Sequence, residues 1–182
     1  MGRLMKIAIC ITVFSTLIFI SCVNETEDTL SLESPTATLS TFVEAHNSSD
    51  LKLMATTLTD DFHFYFAPDD IGKEVHKDGY IMPTSFNRDE FLQAYQNLFN
   101  SVYSIELIIP ELEGGFGEPT HNKFTCETTY KLNIMVNSYY GYQNNGCVEW
   151  LFELCGDGLW RISVIESDEW HDILEEYISD IT

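Results

Sequence analysis

Three side chains could do chemistry here if the alternation of the strands that carry them is continued. Tyr103, Tyr130 and Glu166 then fall on the same face as Trp150 and Trp160. A carboxylate enclosed by aromatic rings can act as a general base or acid, and a phenol there can orient a ligand through one hydrogen bond. Each residue also has a structural reading. Glu166 lies near the end of its strand, where a rim carboxylate is simply solvated, and a core tyrosine often satisfies its hydroxyl locally. The expected pocket is therefore Tyr103, Tyr130, Trp150, Trp160 and Glu166, with no residue assigned a catalytic role. No other pattern supplies one. The histidines, at 46, 63, 76, 121 and 171, show neither H-x-H nor H-E-x-x-H spacing, and there is no C-x-x-C, so no metal and no cofactor is expected. Gly114-Gly115-Phe116-Gly117 precedes strand-like residues rather than the helix a phosphate cradle needs, and no G-x-S-x-G elbow occurs.

A different chemistry is written at the start of the chain. Arg3 and Lys6 precede an apolar run from Ile7 to Ile20. About fourteen residues at ~1.5 Å each cover ~21 Å, too short for a ~30 Å hydrocarbon core, which suits a signal peptide over residues 1–21. The run ends Phe19-Ile20-Ser21-Cys22, a small residue before a cysteine. This resembles a lipobox, with Phe19 where leucine is usual, and implies acylation of Cys22. Two or three acyl chains, at ~0.8 kcal/mol per buried CH₂, anchor a protein stably to a bilayer. Residues 22–35 are polar and acidic and read as a flexible tether outside the cytoplasm, in the cell envelope.

The chain has 29 Asp and Glu against 9 Lys and Arg. Without Arg3 and Lys6 the balance is −22, and no cationic cluster is present. Nucleic acid is excluded as a partner, and anionic headgroups are repelled, so membrane contact rests on the acyl anchor. Residues 36–182 suffice for one domain.

These candidates need elements to position them. A helix after Pro35 carries Leu39, Phe42, Val43 and His46 on one stripe, which makes His46 a core or rim residue. A short second helix follows Asp50 and ends at Thr59-Asp60-Asp61, and Phe62 to Phe66 alternates as a strand. Ala67 to Phe86 reads as a long loop. Asn87 and Glu90 then open a helix whose face is Phe91, Leu92, Tyr95, Leu98 and Phe99. Strands follow at Val102 to Ile109, Lys123 to Asn137, Cys147 to Cys155 and Leu159 to Ser167, with turns at Tyr139 to Gly146 and Gly156 to Gly158. Parity places Tyr130, Trp150, Phe152, Trp160, Ile162 and Val164 on the core face, and Glu127, Lys131, Glu149, Glu153 and Arg161 opposite. Cys126 joins the core set while Cys147 and Cys155 face outward, so free thiols are expected. Trp170 to Ile181 has the period of a C-terminal helix.

Phe42-Val43-Glu44-Ala45-His46-Asn47 with Asp50-Leu51, then Leu58-Thr59-Asp60-Asp61-Phe62, Phe86-Asn87-Arg88-Asp89-Glu90-Phe91 and Gly158-Leu159-Trp160-Arg161-Ile162 resemble the nuclear transport factor 2-like (SnoaL-like) superfamily. The resemblance covers most of Thr36 to Asp168. It implies an α+β fold, a curved antiparallel sheet with helices packed on its inner face (a cystatin-like cone), and a pocket that some members use for isomerisation, dehydration or hydrolysis and others only for binding. Fold does not choose among these. The aromatic and aliphatic inward set favours an apolar small-molecule ligand bound without catalysis. The alternatives are an envelope interaction module, in which the outer sheet face around Tyr65, Leu151 and Ile165 contacts a partner or a second copy, and an isomerase, dehydratase or hydrolase.

Overall fold

The computed structural model describes residues 31–74 and 81–167. The expected signal segment with Cys22, part of the long loop, and the expected C-terminal helix lie outside them.

Helix α1, Pro35–Asn47, starts where Ser34 accepts a hydrogen bond from the Ala37 N–H and proline stands at the first turn. Its stripe of Leu39, Phe42, Ala45 and His46 is buried. Helix α2, Leu51–Thr56, is capped by Asp50. Six residues cannot hold a helix by themselves, and two arginines secure its far end: Arg88 donates to the Ala55 carbonyl at 2.8 Å and Arg161 to that of Thr56 at 3.2 Å. Helix α3, Arg88–Ser101, has the full capping box of Asn87 and Glu90 and buries Phe91, Ala94, Tyr95 and Leu98.

Six strands form one curved sheet in the order β2-β1-β6-β5-β4-β3, where β1 is Leu58–Phe66, β2 Ser85–Asn87, β3 Ser104–Ile108, β4 Lys123–Met135, β5 Gly141–Leu154 and β6 Trp160–Ser167. The fold is the expected α+β cone with α1 and α3 laid on the sheet. The sheet is mixed, because β1 returns to lie parallel to β6 while every other pair is antiparallel. β3 is an edge, and Asn47 at the end of α1 covers it: its amide donates to the Leu107 carbonyl at 3.0 Å and accepts from the Leu107 N–H at 2.6 Å. A side-chain amide thus takes the place of a further strand on an otherwise open edge.

Four expectations are corrected. The turn expected from Tyr139 to Gly146 is much shorter. β5 begins at Gly141, and the reversal is held by the Asn137 side chain, which accepts from the Tyr139 and Tyr140 N–H groups at 2.9 Å each. Only glycine fits at 141, since a Cβ there would collide with the Ile134 carbonyl and the Met135 side chain. The strand assigned to Phe62–Phe66 begins earlier, at Leu58, with an irregular stretch before His63. Leu32, placed in the tether, is buried, and its carbonyl accepts from the Trp160 N–H at 2.8 Å, so the folded unit reaches back into the segment expected to be flexible.

The fourth correction bears on the candidate site. Leu151 pairs with Val164 but Phe152 with Ile162, leaving Ser163 as an extra residue. This β-bulge reverses the parity of everything after it. Ile165 and Ser167 are buried on the inner face, whereas Val164 and Glu166 turn outward. The outer face also holds a row of like charges, Glu127, Glu149 and Glu166, directly opposite one another across β4, β5 and β6.

Candidate functional site

The inner face of the sheet and the buried faces of α1 and α3 meet in one aromatic cluster. Phe42 of α1 contacts Trp150 of β5 edge to face at 5.5 Å between centroids. Phe91 of α3 packs on Phe62 and Phe64 of β1 at 4.9 and 5.7 Å and on Tyr95 at 4.7 Å. His46 stands edge to face with Tyr95 and Phe99 at 5.5 and 6.0 Å. Trp150 donates its indole N–H to the Thr128 hydroxyl at 2.9 Å, a buried bond between neighbouring strands.

Of the five residues expected in a pocket, the structure brings Tyr130, Trp150 and Trp160 to the inner face and leaves two elsewhere. Tyr130 and Trp150 are only 3% and 0% exposed, and Phe42, His46, Phe91 and Tyr95 are as fully enclosed. Trp160 closes the end near the start of α1, where its carbonyl accepts from the Thr38 hydroxyl at 2.9 Å. Glu166 is exposed on the outer face because of the bulge. Tyr103 keeps the inward parity of Ile105 and Leu107 but lies beyond the end of the core, 72% exposed on the rim.

Burial governs the ionisable groups that remain inside. Desolvation lowers His46 to about 3, against a smaller opposing effect of its hydrogen bond to Asn47, so the imidazole is neutral. Tyr95 is raised above the ordinary phenol range by burial and by Tyr130. Burial pushes the Cys126 thiol up to about 12, aided by Glu111 and Glu149, which makes it a poor nucleophile. The one buried carboxylate among the described residues, Asp70, lies in the turn after β1, 2.8 Å from the Lys73 ammonium. The cluster thus offers shape and aromatic surface, with no charged acid–base pair among the described residues.

A cleft of about 500 Å³ opens elsewhere, between the end of α2, the start of β1 and the β5–β6 turn. Arg88 and Arg161 line it, and both cap α2. Arg161 is further committed to Asp157 by two bonds at 2.7 and 3.0 Å, and this guanidinium holds the Asp157 carboxyl down at about 2. Its cations therefore have structural work that accounts for their position.

Sequence reasoning missed the other end of the molecule. Tyr139, Tyr140 and Tyr142 at the β4–β5 reversal are 95%, 53% and 45% exposed, and Tyr103 stands beside them through a 2.7 Å bond from its N–H to the Met135 carbonyl. The available signal was the lack of any charge from Leu132 to Val148 in so acidic a chain.

A scan against protein-family models and a search of the curated proteins give no significant match. Solved structures do resemble the chain. A conserved protein from Planctomyces limnophilus superposes with a TM-score of 0.55 at 17% identity, over 71% of this chain and 88% of that one. For a nuclear transport factor 2-like superfamily protein from Salmonella enterica the values are 0.52, 10%, 73% and 86%. For a protein with a cystatin-like fold from Nostoc punctiforme they are 0.50, 10%, 72% and 84%. Identities this low speak for fold alone. The agreement in fold with such neighbours, together with helices seated in a curved six-stranded sheet, establishes that this domain has the nuclear transport factor 2-like cone fold.

Proposed function

We propose that the protein is a non-catalytic binding module, anchored to a bilayer in the bacterial cell envelope through acylated Cys22, which meets its partner on the surface of the cone. The burial of the inner face supports this reading: Phe42, His46, Tyr95, Tyr130 and Trp150 are each 3% exposed or less. An apolar ligand reaching Tyr130 or Trp150 would have to displace the side chains that bury them, and close-packed interiors resist that. Thermal-shift measurements against lipid-like, sterol-like and aromatic compounds are therefore expected to find no stabiliser acting at Tyr130. A compound whose stabilising effect is lost in Tyr130→Phe would return the binding site to the interior.

The anchor rests on the charged start, the short apolar run and Ser21-Cys22. Metabolic labelling with a fatty acid is expected to mark the wild-type chain and leave Cys22→Ala unmarked. Equal labelling of the two would remove the anchor. The outer sheet face is a weaker candidate for contact with a second copy, because a face-to-face dimer would oppose two rows of Glu127, Glu149 and Glu166.

A further inference from the structure

At several open edge positions of this sheet a side chain stands in for the missing strand. Asn47 covers Leu107 on β3, Glu111 accepts from the Thr129 N–H of β4 at 2.9 Å, and Asn144 accepts from the Asn145 N–H of β5 at 2.8 Å. One stretch of β4 has no such cover. Continuing the β3–β4 register sets Pro110 opposite Thr129, and a proline has no N–H to carry the ladder on. The chain turns away there in the short helical turn Pro110–Glu113, and β4 runs on toward Lys123 with no strand on that side.

The backbone groups this leaves open follow from the alternation of an antiparallel ladder, in which the N–H and C=O of one residue point to the same side. Even-numbered positions face β5, as the Asn122 carbonyl just ahead of β4 does in accepting from the Leu154 N–H at 2.8 Å. Odd-numbered positions face the other way, as the Thr129 N–H and the Met135 carbonyl do. The N–H and C=O groups of Thr125 and Glu127 therefore point off the sheet, and among the described residues nothing bonds them. Both residues are exposed, and Cys126 between them is half-buried on the inner face, opposite Trp150.

We infer that this edge pairs antiparallel with the same edge of a second copy, about a two-fold axis at Cys126. The inference rests on the surface-binding reading above and names its partner. In this register Thr125 falls opposite Glu127 of the second copy and Glu127 opposite its Thr125, each pair exchanging two backbone bonds. No carboxylate then directly faces another, unlike in a face-to-face dimer, and a small side chain stands at the axis. Further out, Lys123 comes opposite Thr129 of the second copy, beside the Glu111 that binds that threonine's N–H and hydroxyl, so opposite charges meet at both ends of the junction. A strand of unrelated sequence gains the same backbone bonds, whereas these matched pairs come from the chain's own sequence set against itself. Four backbone bonds make a weak contact, and anchoring to one bilayer, as proposed above, strengthens it by raising the local concentration of copies.

Sedimentation equilibrium of the full chain tests this, in a density-matched polyoxyethylene detergent with micelles in large excess. Salt at ~0.15 M screens the net charge of −20. The wild type is expected to dimerise at or below about 200 μM. Thr125→Lys sets an ammonium opposite Glu127 on both sides of the axis and should tighten the dimer about threefold or more, while Thr125→Glu should weaken it as much, with the melting temperature unchanged in both. Mild copper oxidation tests the register: a mixture of Thr125→Cys and Glu127→Cys chains should give more disulfide dimer than either variant alone, because those two thiols face each other only across the axis. The exposed Cys147 is common to all three samples, so its cross-links cancel. A wild type that stays monomeric to that concentration overturns the inference, as does a dimer indifferent to both charges or equal cross-linking of the mixture and the single variants. None of these results touches the surface-binding reading, which falls instead if a compound is found that stabilises the chain through Tyr130.

Discussion

Replacing Trp150 by alanine is expected to cost about 3 to 5 kcal/mol, the range for deleting a large aromatic from a filled core. Trp150 is fully buried, meets Phe42 edge to face and bonds Thr128, so its loss opens a void and strands a hydroxyl at once. For a domain of this size the melting temperature should fall by about 10 °C or more. The two contributions can be separated. Trp150→Phe keeps part of the ring volume but leaves the buried Thr128 hydroxyl without its donor, and adding Thr128→Val should recover some of that loss. A loss below about 1 kcal/mol for Trp150→Ala in urea unfolding would mean that the inner face around Trp150 is open rather than filled.

The second large effect is on acid stability. Burial holds His46 at about 3, below the ~6.5 of an exposed histidine. As pH falls below about 6.5, the unfolded chain binds a proton that the folded chain refuses, so stability declines by up to ~1.4 kcal/mol per unit until the folded state also protonates near 3. Above the unfolded value the group has no effect on pH dependence. Wild type should therefore lose about 2 to 3 kcal/mol relative to His46→Leu between pH 6.5 and 4.5. Comparing the two at each pH cancels the general relief of negative charge. Carboxylates held low in the fold, such as Asp157 at about 2, act at lower pH. Parallel stability curves for the two proteins across this window would show that His46 takes up its proton in the folded state.

The order of elements and the buried stripes of α1 and α3 follow from local pattern, since a helix repeats its face every three to four residues whatever lies beyond it. His46 was placed correctly in this way, by its spacing from Leu39 and Phe42 alone. Likewise Asn87 and Glu90 marked the start of α3 because a capping box is a purely local bond pattern. Trp150 and Tyr130 were placed on the inner face because β4 and β5 keep an uninterrupted alternation through that region.

Glu166 shows where such reasoning stops. Alternation carries a residue's direction along a strand only while the register holds, and the bulge at Ser163 is set by how β6 pairs with β5, not by any mark in its own sequence. One inserted residue moved Glu166 to solvent and Ile165 to the core. The parallel contact of β1 with β6 joins strands nearly a hundred residues apart and was likewise decided by the packed structure. Tyr103 makes the same point at the strand end, where parity gave its direction correctly. Whether that direction leads into a core or out onto a rim depends on how far α1, α3 and the neighbouring strands extend over it, and only the assembled tertiary structure determines that.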